Sequence, residues 1–340
     1  MKDLLALFSE SAPRPRHALL GLLVVLLIAP LLLDRYVLSL MILMLYFAFV
    51  GQAWNIMMGL AGQLSLGHAL YVGLGAYTAA ALYQHFGLVP WLGMIAAVAV
   101  CVAVASFIGW LAFRFGIAGT YFALLTIAFA EFTRVGFDHF TWVGGSAGFF
   151  LKVVQQDRPD WLNLRGPPQM FYFLALALAV LAFLLTAWLM RSRAGYYFRA
   201  IRDNEEAARA AGVDVFRYKM IAIQISAALT ALAGVFFAFY YNNLFPEQAF
   251  NMSRSIEIIL APIIGGIGTL FGPVIGAALL TVLSEGLTAL LHALGIEAPG
   301  LKQILYGVAL GLSIMFMPHG VWPAIARRLG LTREPKEPDA

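Results

Sequence analysis

The sequence predicts an all-α, polytopic membrane protein, and three observations support that fold class. Hydrophobic residues make up 61% of the 340 residues and charged residues only 12%, whereas soluble domains average about 25% charged residues. The mean hydropathy of the chain is +0.83. Apolar runs recur at lengths near the roughly 20 residues that a helix needs to cross a bilayer. We therefore expect residues 1–340 to form a single transmembrane domain.

Ten apolar segments are candidate transmembrane helices, of which the first and the eighth are short. They cover residues 18–33, 36–58, 66–84, 89–113, 119–139, 169–190, 220–242, 254–268, 273–292 and 300–317. The polar stretch at residues 1–17 is followed by no small-residue cleavage site. The first segment is therefore expected to be a retained span and not a signal peptide.

The distribution of basic residues predicts the orientation of these helices. With the N-terminus inside, 15 of the 22 lysine and arginine residues fall on the inner side. Cytoplasmic loops carry an excess of positive charge, so both termini and residues 191–219 are expected in the cytoplasm. Residues 140–168 then form the large outer loop, with Trp142 and Trp161 as interfacial anchors.

Residues 191–219 are hydrophilic and lie between two long apolar segments, with seven basic and four acidic side chains. Within them, residues 203–212 have the features of a short capped helix. Asp203 is the predicted N-cap, Glu206 completes a capping box, and Gly212 suits a left-handed C-terminal stop. Because a helix of about eight residues is marginal alone, we expect a soluble partner to bind it.

Glycines concentrate at two predicted hairpins on the inner side. One interpretation is close helix packing, which small residues permit in lipid. The other is a broken or re-entrant helix that lines a pathway, where irregular backbone is tolerated beside protein or water. The candidate residues for either role are Gly62, Gly67, Gly73, Gly75, Gly265, Gly266, Gly268 and Gly272.

The sequence lacks the motifs of several chemistries. It contains no Gly-x4-Gly-Lys-[Ser/Thr] phosphate loop, no Gly-x-Ser-x-Gly elbow and no zinc-like spacing of His and Cys. The single cysteine, Cys101, excludes an intramolecular disulfide. Ionisable groups within membrane helices are functional candidates, but Glu131, Arg134 and Asp138 share one helical face and are expected to neutralise one another. Neither a catalytic residue nor a metal site is predicted.

Four glycine-rich stretches appear in an order that one family shares. They are Gly-Leu-Ala-Gly-Gln-Leu-Ser-Leu-Gly-His at 59–68 with Gly-Ala-Tyr-Thr at 75–78, Gly-Thr-Tyr-Phe-Ala-Leu-Leu-Thr at 119–126, Gly-Tyr-Tyr-Phe-Arg-Ala-Ile-Arg-Asp-Asn-Glu at 195–205, and Gly-Gly-Ile-Gly-Thr-Leu-Phe-Gly-Pro at 265–273. Through them the chain resembles the LivM-type permease subunit of branched-chain amino acid ABC importers.

The resemblance implies that the short helix is a coupling helix that docks into a groove of an ATPase subunit. The motif is Glu-Ala-Ala-x3-Gly at 206–212, and it does not continue to the Ile-x-Leu-Pro of the broader importer pattern. The residues assigned to this coupling loop are Arg202, Asp203, Asn204, Glu205, Glu206, Ala207, Ala208 and Gly212.

The resemblance also implies the partners and the location of the chain. A second permease subunit, identical or related, two ATPase subunits that bind ATP and magnesium, and a periplasmic or extracellular solute-binding protein are expected, with no cofactor on this chain and no nucleic acid. The location implied is the bacterial plasma (inner) membrane.

Other functions remain open at this stage. A permease for urea or short amides would have a closely similar sequence. An ion-coupled secondary transporter should place carboxylates or histidines near the midplane, where this chain has mostly Leu, Ala, Val, Phe and Gly. A membrane enzyme would need a clustered nucleophile, base or metal set. Neither the transported solute nor the identity of the second permease subunit follows from the sequence.

Overall fold

The structure, a computed structural model, describes most of the chain between residues 33 and 293. The described residues are 21, 24–30, 33–151, 159–293, 300, 304, 307, 308, 311, 315–317 and 320–328, with only the backbone for 287 and 289–293. Much of the predicted first span, most of the tenth and both termini lie outside this set. So do residues 152–158 of the predicted outer loop.

The described part of the chain is helical almost throughout, which confirms the all-α class. In chain order the longer helices are α1 (Arg35–Asn55), α2 (Ala69–Phe86), α3 (Pro90–Arg114), α4 (Gly119–His139), α5 (Pro168–Arg191), α6 (Arg193–Asp203), α8 (Val215–Tyr241), α10 (Met252–Gly265) and α11 (Gly272–Ala293). The short helices are α7 (Glu205–Ala210), α9 (Pro246–Phe250) and α12 (Val321–Arg328). One π-helical segment, Ile56–Leu60, extends α1.

Four helices of the described residues are long and apolar enough to cross a membrane. They cover Arg35–Leu60, Pro90–Arg114, Pro168–Arg191 and Val215–Tyr241, each within a few residues of a predicted span. The total of ten spans stays a prediction. Several boundaries differ from the prediction by a few residues. Helix α8 begins at Val215, five residues early, because the Asp214 carboxylate caps it by accepting the Arg217 N–H at 3.0 Å. The eighth segment ends as a helix at Gly265, because Gly266 has a φ of +127°.

Helix α8 lies at the centre of the fold and packs against α1, α2 and α3. Glycines allow the close crossing with α2: a Cβ atom at Gly234 would lie 2.8 Å from the backbone nitrogen of Ala76. A Cβ atom at Gly75 would lie 2.9 Å from the Cα atom of Ala231. The backbones of α2 and α8 therefore touch directly, as is common where small residues line a helix interface in membranes.

A two-stranded antiparallel ribbon joins the predicted outer loop to the end of α8. Strand β1 (Phe149–Phe150) pairs with β2 (Asn243–Leu244), with Phe149 opposite Leu244. Next to it, Trp142 stacks on His85 with ring centroids 4.4 Å apart. Trp142 and Trp161 are 46% and 45% exposed, and their role as interfacial anchors stays a prediction.

Candidate functional site

The predicted coupling loop folds into two short helices between α5 and α8. The Ser192 hydroxyl caps α6 by accepting the Gly195 N–H at 3.2 Å, and α7 follows α6 after the single residue Asn204. Arg191 belongs to α5, and residues 215–219 form the first turns of α8. The segment that links the two long helices is therefore a compact helical unit and not an extended loop.

The predicted N-cap of the coupling helix is wrong by one residue. Asp203 ends α6, and Asn204 caps α7 through an Oδ1 that accepts the Ala207 N–H at 3.0 Å. The reason is that α6 stays helical through Asp203, so the first residue with an extended backbone, φ −158° and ψ 105°, is Asn204. The capping box with Glu206 is also wrong, because Ala207 now stands three residues after the cap.

The C-terminal stop at Gly212 is as predicted. Gly212 has a φ of +85°, its N–H donates to the Arg209 carbonyl at 3.0 Å, and the Val213 N–H donates to the Ala208 carbonyl at 3.0 Å. These bonds close the end of α7 in the manner of a glycine C-terminal motif. A Cβ atom here would meet open space, so the constraint on this residue is the left-handed backbone conformation.

The chain itself supplies part of the stability that α7 lacks as an isolated helix. Ala208 is buried against Ile201 of α6 and Val215 of α8. The Glu205 carboxylate pairs with Arg209 at 2.9 Å and with the ammonium of Lys219. Lys219 is only 4% exposed. Glu205 thus faces into the protein, and helices α6, α7 and the start of α8 form one packed unit.

The opposite side of α7 is free of such contacts in the described structure. Glu206 and Ala207 are both exposed, and they carry the outward surface of the first turn. The motif residues therefore divide into an inward set, Glu205 and Ala208, and an outward set, Glu206 and Ala207.

The two glycine-rich turns lie close to each other, although about 200 residues separate them. The Asn55 side chain, at the end of α1, bonds the turn at residues 266–271: its Oδ1 accepts the Gly268 N–H at 2.7 Å and its Nδ2 donates to the Thr269 carbonyl at 2.9 Å. A Cβ atom at Gly59 would lie 2.6 Å from the Gly268 nitrogen. The end of the α1 extension is therefore in backbone contact with the turn at residues 266–271. We call the turn at residues 61–68, which follows the extension, the first glycine turn, and the turn at residues 266–271 the second glycine turn.

The eight predicted glycines occupy close approaches or left-handed positions, and they are distributed over several interfaces. Gly62 and Gly268 have φ values of +70° and +74°. Gly266 also has a positive φ, +127°. At the other five positions an added Cβ atom would collide with a neighbour. The neighbours are Thr126 for Gly67, Phe250 for Gly73, Ala231 for Gly75, Gly272 and Gly276 for Gly265, and Gly266 and Thr269 for Gly272. Close packing thus applies at several interfaces, and a role of these glycines in one pathway stays a prediction.

A buried polar network holds the first glycine turn, and sequence reasoning missed it. His68 is fully buried, with Nε2 2.8 Å from the Ser226 hydroxyl and Nδ1 3.1 Å from the Ser65 hydroxyl. The Ser226 hydroxyl donates to the Ala53 carbonyl at 2.8 Å, so it accepts from His68 and the proton of the ring sits on Nε2. The only sequence signal for this network is the presence of single Ser and Thr residues within apolar spans.

Further side chains satisfy the backbone of the same turn. The Thr126 hydroxyl accepts the Leu66 N–H at 3.1 Å, the Ser255 hydroxyl accepts the Ala69 N–H at 2.9 Å, and the Trp54 indole donates to the Ser65 carbonyl at 2.8 Å. An unwound segment inside a membrane protein needs such partners, because no bulk water is there to supply them. The turn is thus an ordered interruption between α1 and α2.

The predicted neutralisation on α4 is confirmed. The Arg134 guanidinium donates to the Asp138 carboxylate at 2.8 Å and through Nε to the Glu131 carboxylate at 3.0 Å. The three charges thus form one ion-pair group on a single helical face.

Comparison with known proteins gives a consistent relationship. The family described as branched-chain amino acid transport system, permease component, matches residues 18–314. The high-affinity branched-chain amino acid transport system permease protein LivM of Salmonella typhimurium is 26% identical over 97% of this chain and 80% of its own length, and that of Escherichia coli K12 has the same identity and coverage. The autoinducer 2 import system permease protein LsrC of Klebsiella pneumoniae is 37% identical over 36% of this chain and 38% of its own. No solved structure gives a significant match.

Proposed function

This chain belongs to the permease components of branched-chain amino acid transport systems, and from that premise we propose that it is the transmembrane subunit of an ATP-driven importer for branched-chain or related amino acids. The observation that carries the proposal is the outward face of α7. Glu206 and Ala207 are exposed on a short capped helix that the rest of the loop holds in place. Such a helix is suited to dock into a groove of a separate ATPase subunit.

The roles of the other subunits follow from this proposal. ATP and magnesium bind to two ATPase subunits in the cytoplasm, while this chain binds no cofactor of its own. A second permease subunit completes the pathway, and a solute-binding protein delivers the solute from the outside. The chain lies in the plasma membrane with both termini in the cytoplasm, in agreement with the excess of basic residues on that side.

The outer solute-binding protein selects the solute, and the sequence of the permease constrains it only to a class. The two LivM relatives are named for branched-chain amino acids and the LsrC relatives for autoinducer 2. The match to LivM covers 97% of this chain and the match to LsrC only 36%. The coverage therefore favours amino acids. Urea or short amides remain the alternative.

The test compares two glycines that both have a positive φ and that follow the ends of two different helices. Gly212 (φ +85°) ends α7, and Gly87 (φ +65°) ends α2; a Cβ atom at either would meet open space. Valine strains both positions equally, because a β-branched residue disfavours positive φ. We expect Gly212→Val, like Glu206→Lys, to abolish co-purification of the ATPase subunit and ATP-driven uptake, and Gly87→Val to preserve both.

The measurement is made on the assembled complex, purified through a tag on this chain. ATPase content is quantified first, and uptake of leucine, urea and acetamide into proteoliposomes is then compared. Retention of the ATPase with full uptake in Gly212→Val and Glu206→Lys would show that α7 is not the docking element. Uptake of urea but not leucine by the unmodified complex would favour the alternative solute class.

A further inference from the structure

We call α6, α7 and the start of α8, residues 193–219, the coupling unit. One arginine connects this unit to both glycine turns. Arg202 stands one residue before the end of α6, and its Nη1 donates to the Gly59 carbonyl at 2.7 Å. The same Nη1 would lie 2.9 Å from a Cβ atom at Gly268. The guanidinium therefore sits where the end of the α1 extension meets the second glycine turn.

The rest of the Arg202 side chain is fixed as well. Its Cγ would lie 2.9 Å from a Cβ atom at Gly62, so the aliphatic part of the side chain lies directly on the first glycine turn. Its Nε donates to the Asp203 carboxylate at 3.0 Å, and Nη2 lies 2.9 Å from the same oxygen. The ion pair orients the guanidinium plane so that Nη1 faces Gly59.

Arg202 is connected to α7 by a short chain segment and by the packing of its neighbour. Only Asp203 and Asn204 separate Arg202 from α7, and Ile201, its other neighbour, is buried against Ala208. The ion pair of Glu205 with the buried Lys219 fixes α7 to α8. A rigid displacement of α7 would therefore carry Arg202 with it, and Arg202 contacts the end of the α1 extension and the turn that follows α10.

We propose that Arg202 is the positioning residue that makes the coupling unit and the two glycine turns move as one body. The inference rests on the proposed function, since it assigns the path by which movement of the docked ATPase reaches the membrane helices. Arginine suits this role because its planar guanidinium donates in several fixed directions. Lysine can reach Gly59 with one ammonium but cannot also make the Nε bond to Asp203.

The first test measures the connection on the permease alone. In a Cys101→Ala background, spin labels are placed at Ala210, the last residue of α7, and at Ile267 in the second glycine turn, both of which are exposed. Electron–electron double resonance should give one narrow distance distribution. We expect Arg202→Met, which keeps the aliphatic part but not the donors, to broaden it, and Arg202→Lys to have a smaller effect.

The matched control is Arg217→Met, which removes the same charge from an exposed position on the first turn of α8. This control should leave the distribution unchanged. A distribution in Arg202→Met that equals the one in the unmodified protein would overturn the inference. Because no ATPase is present, this result is independent of whether the proposed function holds.

The second test measures transport in proteoliposomes with the ATPase and the binding protein. Arg202→Met should keep the ATPase bound, in contrast to Gly212→Val, because Arg202 contacts Gly59 and not the outward face of α7, while the amount of solute imported per ATP hydrolysed falls below that of the unmodified complex. An unchanged ratio, or loss of the ATPase from Arg202→Met, would overturn the role in transmission. If the ATPase fails to bind even the unmodified chain, the proposed function fails and the distance measurement alone decides the role of Arg202.

Discussion

The coupling unit and the first glycine turn are both interruptions between long helices, yet different chemistry stabilises them. The coupling unit uses charges: Glu205 with Lys219 and Arg209, and Arg202 with Asp203. The first glycine turn uses neutral groups, namely the hydroxyls of Thr126 and Ser255 and the indole of Trp54. Water can solvate a charge at the membrane surface, whereas a charge inside the bilayer is costly. At the first glycine turn, neutral side chains therefore satisfy the backbone groups that the break leaves open.

The comparison predicts the largest effects for substitutions in the buried turns. Leucine at Gly268 would need a left-handed backbone, and its Cβ atom would lie 2.8 Å from the Gly59 carbonyl oxygen. We expect Gly268→Leu to destabilise the protein by about 3 kcal/mol or more and to abolish uptake. Thermal unfolding in detergent measures the stability. The control Gly286→Leu, at a site with open space on α11, should unfold like the unmodified protein.

A smaller loss is expected when the side chain that ties α1 to the second glycine turn is removed. Asn55 is fully buried and bonds both the Gly268 N–H and the Thr269 carbonyl. Asn55→Leu leaves two partly buried backbone groups without their partner, at a cost of about 1 kcal/mol each. Thermal unfolding should show a loss near that sum in Asn55→Leu. A variant as stable as the unmodified protein would mean that the second glycine turn does not depend on this side chain.

The inward charge of the coupling unit should matter more than the outward one. Glu205→Gln leaves the buried Lys219 ammonium without its carboxylate, which we expect to destabilise α7 by about 1–3 kcal/mol. Glu206 is exposed, so Glu206→Gln should cost only the helix-dipole term of about 0.3–1 kcal/mol. Hydrogen exchange of the α7 amides in the permease alone measures both. Equal protection in the two variants would contradict the inward role of Glu205.

An effect of similarly small size separates the two cap assignments. Asn204→Ala removes the side chain that accepts the Ala207 N–H and should lower the local stability of α7 by about 1 kcal/mol. Asp203→Ala should leave the α7 cap intact. The same exchange experiment distinguishes them, and the reverse order of effects would restore Asp203 as the cap.

The parts of the fold that could be predicted depend on local sequence, and the parts that could not depend on contacts in space. Hydropathy alone gave the class and the approximate bounds of α3, α4 and α5. The cap at Asp203 was wrong because a capping pattern does not reveal where the preceding helix ends. The glycines at 62 and 268 could be recognised as unusual, since glycine favours tight turns. Their common contact with Arg202 could not be predicted, because neither glycine carries a sequence signal for a partner so distant in the chain.

The continuity of α8 has a geometrical consequence for the whole molecule. Its 27 residues make a rod of about 40 Å at 1.5 Å per residue, close to the full thickness of a bilayer with its headgroups. One end carries Lys219, and the other is followed directly by the strand that pairs with β1. A tilt of about 10° around the midpoint would swing each end by about 3–4 Å in opposite directions. If α8 pivots as a rigid rod, a shift at the coupling unit would thus displace the ribbon at its other end in the opposite direction.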